Sequence, residues 1–206
     1  MNQMRLEKRL VPFAIVVGLY MLAALTVALR QWNTEFLFYG LVMFGQIACV
    51  VWLDRKVRLP VWILWGLVLW GLVHMLGGTI RIPARFADSD TGALTLYNLR
   101  LAPWLPRYDQ VVHTYGFLLA SLAAWCGLRT LFAPGLKSTA GVWTTVWLCG
   151  MGLGATNEVI EFAATRLMTW TNVGGYVNTG WDLVCNMLGA GLGGFWAVRD
   201  WRRRCA

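Results

Sequence analysis

Six long apolar stretches, separated by short polar or basic segments, make up most of the chain. Each has about the 17–25 residues that an α-helix needs to cross a bilayer. We therefore predict an all-α, polytopic membrane helix bundle that forms a single integral membrane domain over residues 1–206. The predicted transmembrane helices cover residues 10–29, 36–53, 60–80, 109–132, 141–165 and 181–199.

The composition supports a membrane domain and argues against a nucleic-acid-binding protein. Hydrophobic residues make up 58% of the chain and charged residues only 14%, whereas a soluble domain needs more charge to cover its surface. The net charge of +8 comes from basic residues that flank the apolar stretches, without the basic stripe and interleaved aromatics of a nucleic-acid-binding face.

The basic residues also predict the orientation of the chain. Twelve of them lie on the side of the two termini, and six lie on the opposite side, so we expect both termini in the cytoplasm. The first apolar stretch is too long for a cleaved signal peptide and is interpreted as an uncleaved targeting helix. These features predict a multi-pass protein of the cell inner membrane, with a long outward loop at residues 81–108.

Arginines on the outward side are not explained by the positive-inside rule. They anchor the protein to headgroups, or they hold a phosphate-bearing lipid or lipid-linked substrate, since Arg binds phosphate through two parallel hydrogen bonds. We take Arg100, Arg107 and Arg166 as the candidate phosphate contacts.

Six ionisable side chains fall inside or at the mouths of the predicted helices. Charged groups in hydrocarbon are costly and usually mark a site. With the predicted orientation and a rise of about 1.5 Å per residue, all six lie in one layer of the outer half of the bilayer. They are His74, Asp109, His113, Glu158, Glu161 and Asp182.

The spacing of these residues places them on shared helix faces. Asp109 and His113 are four residues apart, and Glu158 and Glu161 are three apart. Carboxylates and imidazoles on facing helices bind divalent metals in bundles, so we predict that all six ligate Zn, Mg or Mn. Glu158 or Glu161 is also the candidate catalytic base. The neighbours that orient the ligands are Tyr108, Asn157 and Asn186.

Two other interpretations remain open: a proton or ion relay, and a hydrogen-bonded network that only fixes helix packing. The inner halves of the last four predicted helices contain no ionisable residue, which argues against a transport path. Glycines in the sixth helix, at Gly189 and Gly193, predict close helix packing. The chain has no HExxH and no paired CxxC motif.

The ordered motifs resemble those of the VanZ-like family of small membrane proteins. They are Asp109-x₃-His113, Glu158-x₂-Glu161 and Asp182-x₃-Asn186-x₂-Gly189, over roughly residues 70–195. The resemblance is closer to the YjdF-type inner-membrane branch, which has a His-x₂-Gly-Gly like His74–Gly78. It implies a role at the cell envelope, and Glu161, in place of the family's Gln, favours cation binding.

Three functional hypotheses follow. The first is a metal-dependent enzyme that hydrolyses a phosphate- or ester-bearing lipid or lipid-linked substrate at the outer leaflet. The second is an ion-coupled transporter, and the third is a non-catalytic envelope accessory subunit. The sequence leaves the oligomeric state open.

Overall fold

The structure is a computed structural model that describes residues 3–132 and 139–205, with side chains described for 8–131 and 139–203. Within these residues the chain forms six α-helices and no β-strand, which confirms the prediction of an all-α helical membrane bundle. The helices are α1 (Gln3–Arg30), α2 (Thr34–Val57), α3 (Val61–Thr79), α4 (Tyr108–Phe132), α5 (Thr139–Leu167) and α6 (Tyr176–Cys205).

Most of these helices extend a few residues beyond the predicted bounds, and α6 begins five residues earlier than predicted. Within the described residues, α1 to α4 are long and apolar enough to cross a membrane by length and composition. The other two helices are longer still but are not among these four candidate spans. Arg5, Lys137 and Arg204, which contribute to the predicted orientation, lie outside the described side chains.

The connection between α3 and α4 is a compact loop without an α-helix. Two isolated antiparallel bridges, Arg81 with Thr95 and Ala87 with Leu99, join its two arms. Two short 3₁₀ helices interrupt the arms, at Ala84–Phe86 and Leu96–Asn98. The loop reverses near Gly92, whose φ of 75° lies in the left-handed region that favours glycine.

The helices pack as two groups that meet between α3 and α4. One apolar cluster joins α1, α3 and α4 through Phe13, Ile63 and Leu122. Helix α6 lies against both α4 and α5, and it does so through glycines.

Two faces of α6 carry the small residues that allow this close approach. A Cβ added at Gly189 would meet the backbone carbonyl oxygen of Thr114, and one at Gly193 would lie 2.6 Å from the Ser121 Cβ, both on α4. On the other face, a Cβ at Gly194 would lie 2.8 Å from the Trp143 Cδ1 of α5. The predicted close packing through Gly189 and Gly193 is confirmed.

We expect Gly189→Ala to destabilise the bundle, because backbone atoms of α4 cannot move aside as a side chain can. Overpacking of this kind costs about 1–3 kcal/mol. The matched control is Gly191→Ala on the same helix, where an added Cβ would find its nearest neighbour at 3.8 Å. Thermal unfolding in detergent measures both variants, and equal melting temperatures for the two would contradict the packing account.

Candidate functional site

His113 of α4 is the centre of a buried polar cluster between α4, α5 and α6. Its side chain is only 8% exposed. Its Nδ1 lies 2.9 Å from the Asn186 Oδ1 of α6, which is a hydrogen bond. The amide nitrogen of Asn186 in turn donates to the Glu158 Oε1 of α5 at 3.1 Å. One histidine, one amide and one carboxylate therefore link the three helices.

The other nitrogen of His113 faces two more carboxylates. Nε2 lies 3.6 Å from the Asp109 Oδ1 and 3.8 Å from the Glu161 Oε1. Both distances exceed normal hydrogen-bond lengths. Asp182 joins from α6, because Asp109, His113 and Asp182 each offer a ligand atom within 4.8 Å of the others. The same is true of His113, Glu158 and Glu161.

Asparagine side chains hold the carboxylates in place. Asn157 donates to the Glu161 Oε1 at 2.8 Å, and Asn178 donates to the Asp182 Oδ2 at 2.6 Å. The second oxygens of Glu158 and Asp182 are buried and have no hydrogen-bond partner among the described residues. Buried polar atoms without partners are rare, so these oxygens are available to a ligand.

Glycine also determines the position of Asn186. A Cβ added at Gly154 of α5 would lie 2.9 Å from the Asn186 Cβ. The absence of a side chain at Gly154 therefore allows Asn186 to reach between His113 and Glu158.

The structure does not bring His74 into the carboxylate cluster. The Tyr97 hydroxyl lies 2.8 Å from both the Nδ1 and the carbonyl oxygen of His74. The hydroxyl satisfies both contacts when it donates its proton to the carbonyl oxygen and accepts the Nδ1–H of His74. Burial raises the pKa of Tyr97 well above its usual value of 10, so the hydroxyl keeps that proton.

His74 nevertheless lines the same cavity as part of the cluster. The residues that line this cavity include Asp109, His113 and Glu161 of the cluster, together with Tyr39 of α2 and His74 of α3. His74 thus shares the cavity with the cluster, but its imidazole contacts Tyr97 instead of the carboxylates.

The three predicted phosphate contacts have different surroundings. Arg107 is 6% exposed and lines the cavity, and its Nε has no hydrogen-bond partner among the described residues. Its Nη1 donates to the Asp88 carbonyl oxygen at 3.3 Å. Arg100 instead pairs with the Asp88 carboxylate at 2.9 Å, and Arg166 is exposed.

Tyr108 contributes in a different way from the prediction that it orients a ligand. Its hydroxyl donates to the Val73 carbonyl oxygen at 2.8 Å, which ties the start of α4 to α3. The predicted neighbours Asn157 and Asn186 do contact the carboxylates, as described above.

Two loops help to line the cavity, one between α3 and α4 and the other between α5 and α6. The residues that join these loops were not predicted from the sequence. The Glu35 carboxylate, 3% exposed, accepts the backbone N–H of Asn172 at 2.9 Å. The Asn172 side chain contacts Thr95 at 3.0 Å and Asn98 at 2.8 Å. Glu35 is visible in the sequence as an acidic residue at the start of an apolar helix. Its partner Asn172 could not be predicted, because it lies 137 positions away in the chain.

The comparison with family models places the chain in a family. The model described as "Predicted membrane protein (DUF2238)" matches residues 12–203, so the chain belongs to this family of membrane proteins. No curated protein and no solved structure matches the chain. The protein is therefore a multi-pass helical membrane protein whose described residues include two groups of side chains suited to a metal ion.

We expect Glu35→Ala to loosen the loop between α5 and α6, because the partly buried N–H of Asn172 loses its acceptor. Loss of a fully buried partner costs about 1–3 kcal/mol, so the cost here lies at or below the lower end of that range. Hydrogen exchange of the peptide that contains Asn172 should become faster in this variant. Glu35→Gln keeps an acceptor oxygen and should stay close to wild type. Unchanged exchange in Glu35→Ala would show that the contact does not hold the loop.

Proposed function

We propose that this protein binds a divalent cation between His113 and the surrounding carboxylates, and uses it to hydrolyse a phosphate- or ester-bearing lipid. One observation carries the proposal: Nδ1 of His113 is hydrogen-bonded to Asn186, and Nε2 faces carboxylate oxygens at distances too long for hydrogen bonds. Histidines that ligate metals commonly hydrogen-bond through their other nitrogen in this way.

The distances fit a shared ion. Ligand atoms that each lie about 2.1 Å from one ion are about 3.0 Å apart at a right angle and about 3.6 Å apart at 120°. The His113 Nε2 to Asp109 Oδ1 distance of 3.6 Å agrees with this range, and the 3.8 Å to Glu161 lies slightly beyond it. We assign His113 and Asp109 as ligands, and Asp182 as a third that must move closer to reach the ion, since its ligand atom lies within 4.8 Å of the other two.

The ligand chemistry favours an ion that prefers oxygen. Four carboxylates surround a single imidazole, and carboxylates suit Mg²⁺ and Mn²⁺ whereas imidazole-rich sites suit Zn²⁺. Of the three metals that the sequence suggests, Mn²⁺ and Mg²⁺ therefore fit this set best.

Glu161 is the carboxylate we assign as the catalytic base. It lines the cavity next to Asp109 and His113, and Asn157 fixes one of its oxygens. A bound cation lowers the pKa of a coordinated water, and a nearby carboxylate accepts its proton. Glu158 lies on the Nδ1 side of His113, 3.7 Å away, and positions the imidazole through Asn186.

Arg107 supports a phosphate-bearing substrate. It is the one Arg or Lys among the described residues that line the cavity, and its Nε lacks a partner. We propose that this end of the bundle faces the outer leaflet of the inner membrane, as the positive-inside pattern predicts. The motif resemblance leads us to propose a relationship to VanZ-like proteins, closest to the YjdF-type branch, and hence a substrate of the cell envelope.

The cation site predicts a bound metal in the purified protein. We expect about one Mn²⁺ per chain by elemental analysis after dialysis against MnCl₂, and loss of this ion in His113→Ala. Asn186→Ala should weaken binding about 10- to 100-fold, as changes to groups that orient a ligand do. Asp88→Asn, in the exposed pair with Arg100, is the control and should bind normally. A wild-type protein that binds no divalent ion would refute the site.

If the protein is a hydrolase, a substitution at Glu161 should slow catalysis and leave cation binding intact. In nanodiscs that contain phosphatidic acid, Glu161→Gln should keep the cation but release inorganic phosphate at a rate lower by about 10²-fold or more. Arg107→Ala should also slow phosphate release, whereas Arg166→Ala, at an exposed arginine, should not. If the metal-loaded protein hydrolyses neither phosphatidic acid nor a carboxyl-ester lipid, the cation site stands and the hydrolase proposal fails.

A further inference from the structure

A second cavity, apolar and separate from the cluster, lies between α1, α2 and α3. Phe13 and Val17 of α1, Ile47 and Val50 of α2, and Leu67 of α3 line it. We call this cavity the apolar groove. Neither the metal site nor the proposed hydrolysis accounts for it.

The apolar groove adjoins the cavity at the cluster. Gln46 of α2 lines both of them. Toward the polar end, Tyr39 of α2 faces the cluster cavity, and in the other direction Ile47 and Val50 face the groove. One helix therefore runs along a polar compartment and then along an apolar one.

The length and the far end of the groove suit a hydrocarbon chain. Its α2 wall runs from Met43 to Asp54, about 16 Å at 1.5 Å per residue, compared with about 15 Å for half of the hydrocarbon core. Asp54 lies at the far end of this wall, where it pairs with Arg9 at 3.3 Å and accepts the backbone N–H of Leu59 at 2.9 Å.

We propose that the apolar groove holds the hydrocarbon chain of the substrate whose polar group occupies the cluster cavity. The substrate class is then an amphiphile with a phosphate head and a long chain, bound along α2. A small water-soluble phosphate would need the polar cavity alone. An amphiphile needs an apolar path that begins where the polar cavity ends, and Gln46 lies at that junction.

This inference rests on the proposed function only in naming the chain as part of the substrate. Binding of the chain and binding of the cation are measured separately, so each can fail alone.

The test uses the full-length protein in phosphatidylcholine nanodiscs. The probe is a lysophosphatidic acid that carries a photoreactive diazirine in its acyl chain. After irradiation, mass spectrometry of peptides locates the labelled residues. We expect the label on the groove-facing residues of α1, α2 and α3, and we expect excess unlabelled lysophosphatidic acid to compete with it. Lysophosphatidylcholine of the same chain length should compete poorly, because its head lacks a free phosphate.

A variant in which a larger side chain fills the groove provides the decisive comparison with the wild-type protein. Ala14→Phe places a ring in the groove, since Ala14 is exposed and lines it. Labelling of the groove should then fall about tenfold. The matched control is Ala48→Phe, at an exposed residue of α2 outside the groove lining, which should label like wild type. Val50→Phe is a second filling variant in case Ala14→Phe folds poorly.

The outcomes distinguish the two proposals. Labelling spread evenly over lipid-facing residues, or groove labelling unchanged in both filling variants, overturns the chain site and leaves the cation site intact. Competition by both lysolipids alike would mean that ordinary bilayer lipid fills the groove, and it also overturns the proposal. Reduced groove labelling with normal Mn²⁺ content in Ala14→Phe supports it. If the wild-type protein binds no Mn²⁺ but its groove is still labelled, only the cation site is refuted.

Discussion

The structure depends on keeping four carboxylates within a helical membrane bundle, where charge is costly. A charged side chain at the centre of a spanning helix costs about 2.5–3.5 kcal/mol on insertion scales. The cluster offsets this cost through His113 and through amide groups, and the close contact of α4, α5 and α6 makes those hydrogen bonds reachable. Gly189 lets α6 approach the α4 backbone, and Gly154 leaves room for Asn186. The polar site therefore depends on the close packing of α4, α5 and α6, and the hydrogen bonds of the site in turn join these helices.

Much of this arrangement follows from the sequence. Apolar length predicts the helices, and helical spacing predicts that Asp109 and His113 share a face, as do Glu158 and Glu161. The fixed rise of a helix per residue also predicts that these residues lie at the same height as Asp182, and their ligand atoms do come within 4.8 Å of His113. The structure adds the contact that sequence could not provide, namely the position of Asn186 between His113 and Glu158.

The remaining features depend on contacts between residues far apart in the chain. Depth alone could not show that His74 pairs with Tyr97, since that depends on how the loop after α3 folds back over the bundle. Glu35 is a further example, because its partner Asn172 belongs to another loop. Neither contact produces a periodic pattern in the sequence.

The two halves of the molecule have different properties: α4–α6 carry the ionisable cluster, and α1–α3 line the apolar groove.

The chemistry of the site depends on ligation of a divalent cation by Nε2 of His113. Electron spin echo envelope modulation of Mn²⁺ bound to the protein in nanodiscs tests this ligation most directly, because it detects nitrogen nuclei coupled to the metal. We expect ¹⁴N modulation from one imidazole that is retained in His74→Gln and lost in His113→Gln. Bound Mn²⁺ without nitrogen coupling, or coupling that persists in His113→Gln, would contradict the account, and His113 would then be an ion-pair partner of the carboxylates instead of a metal ligand.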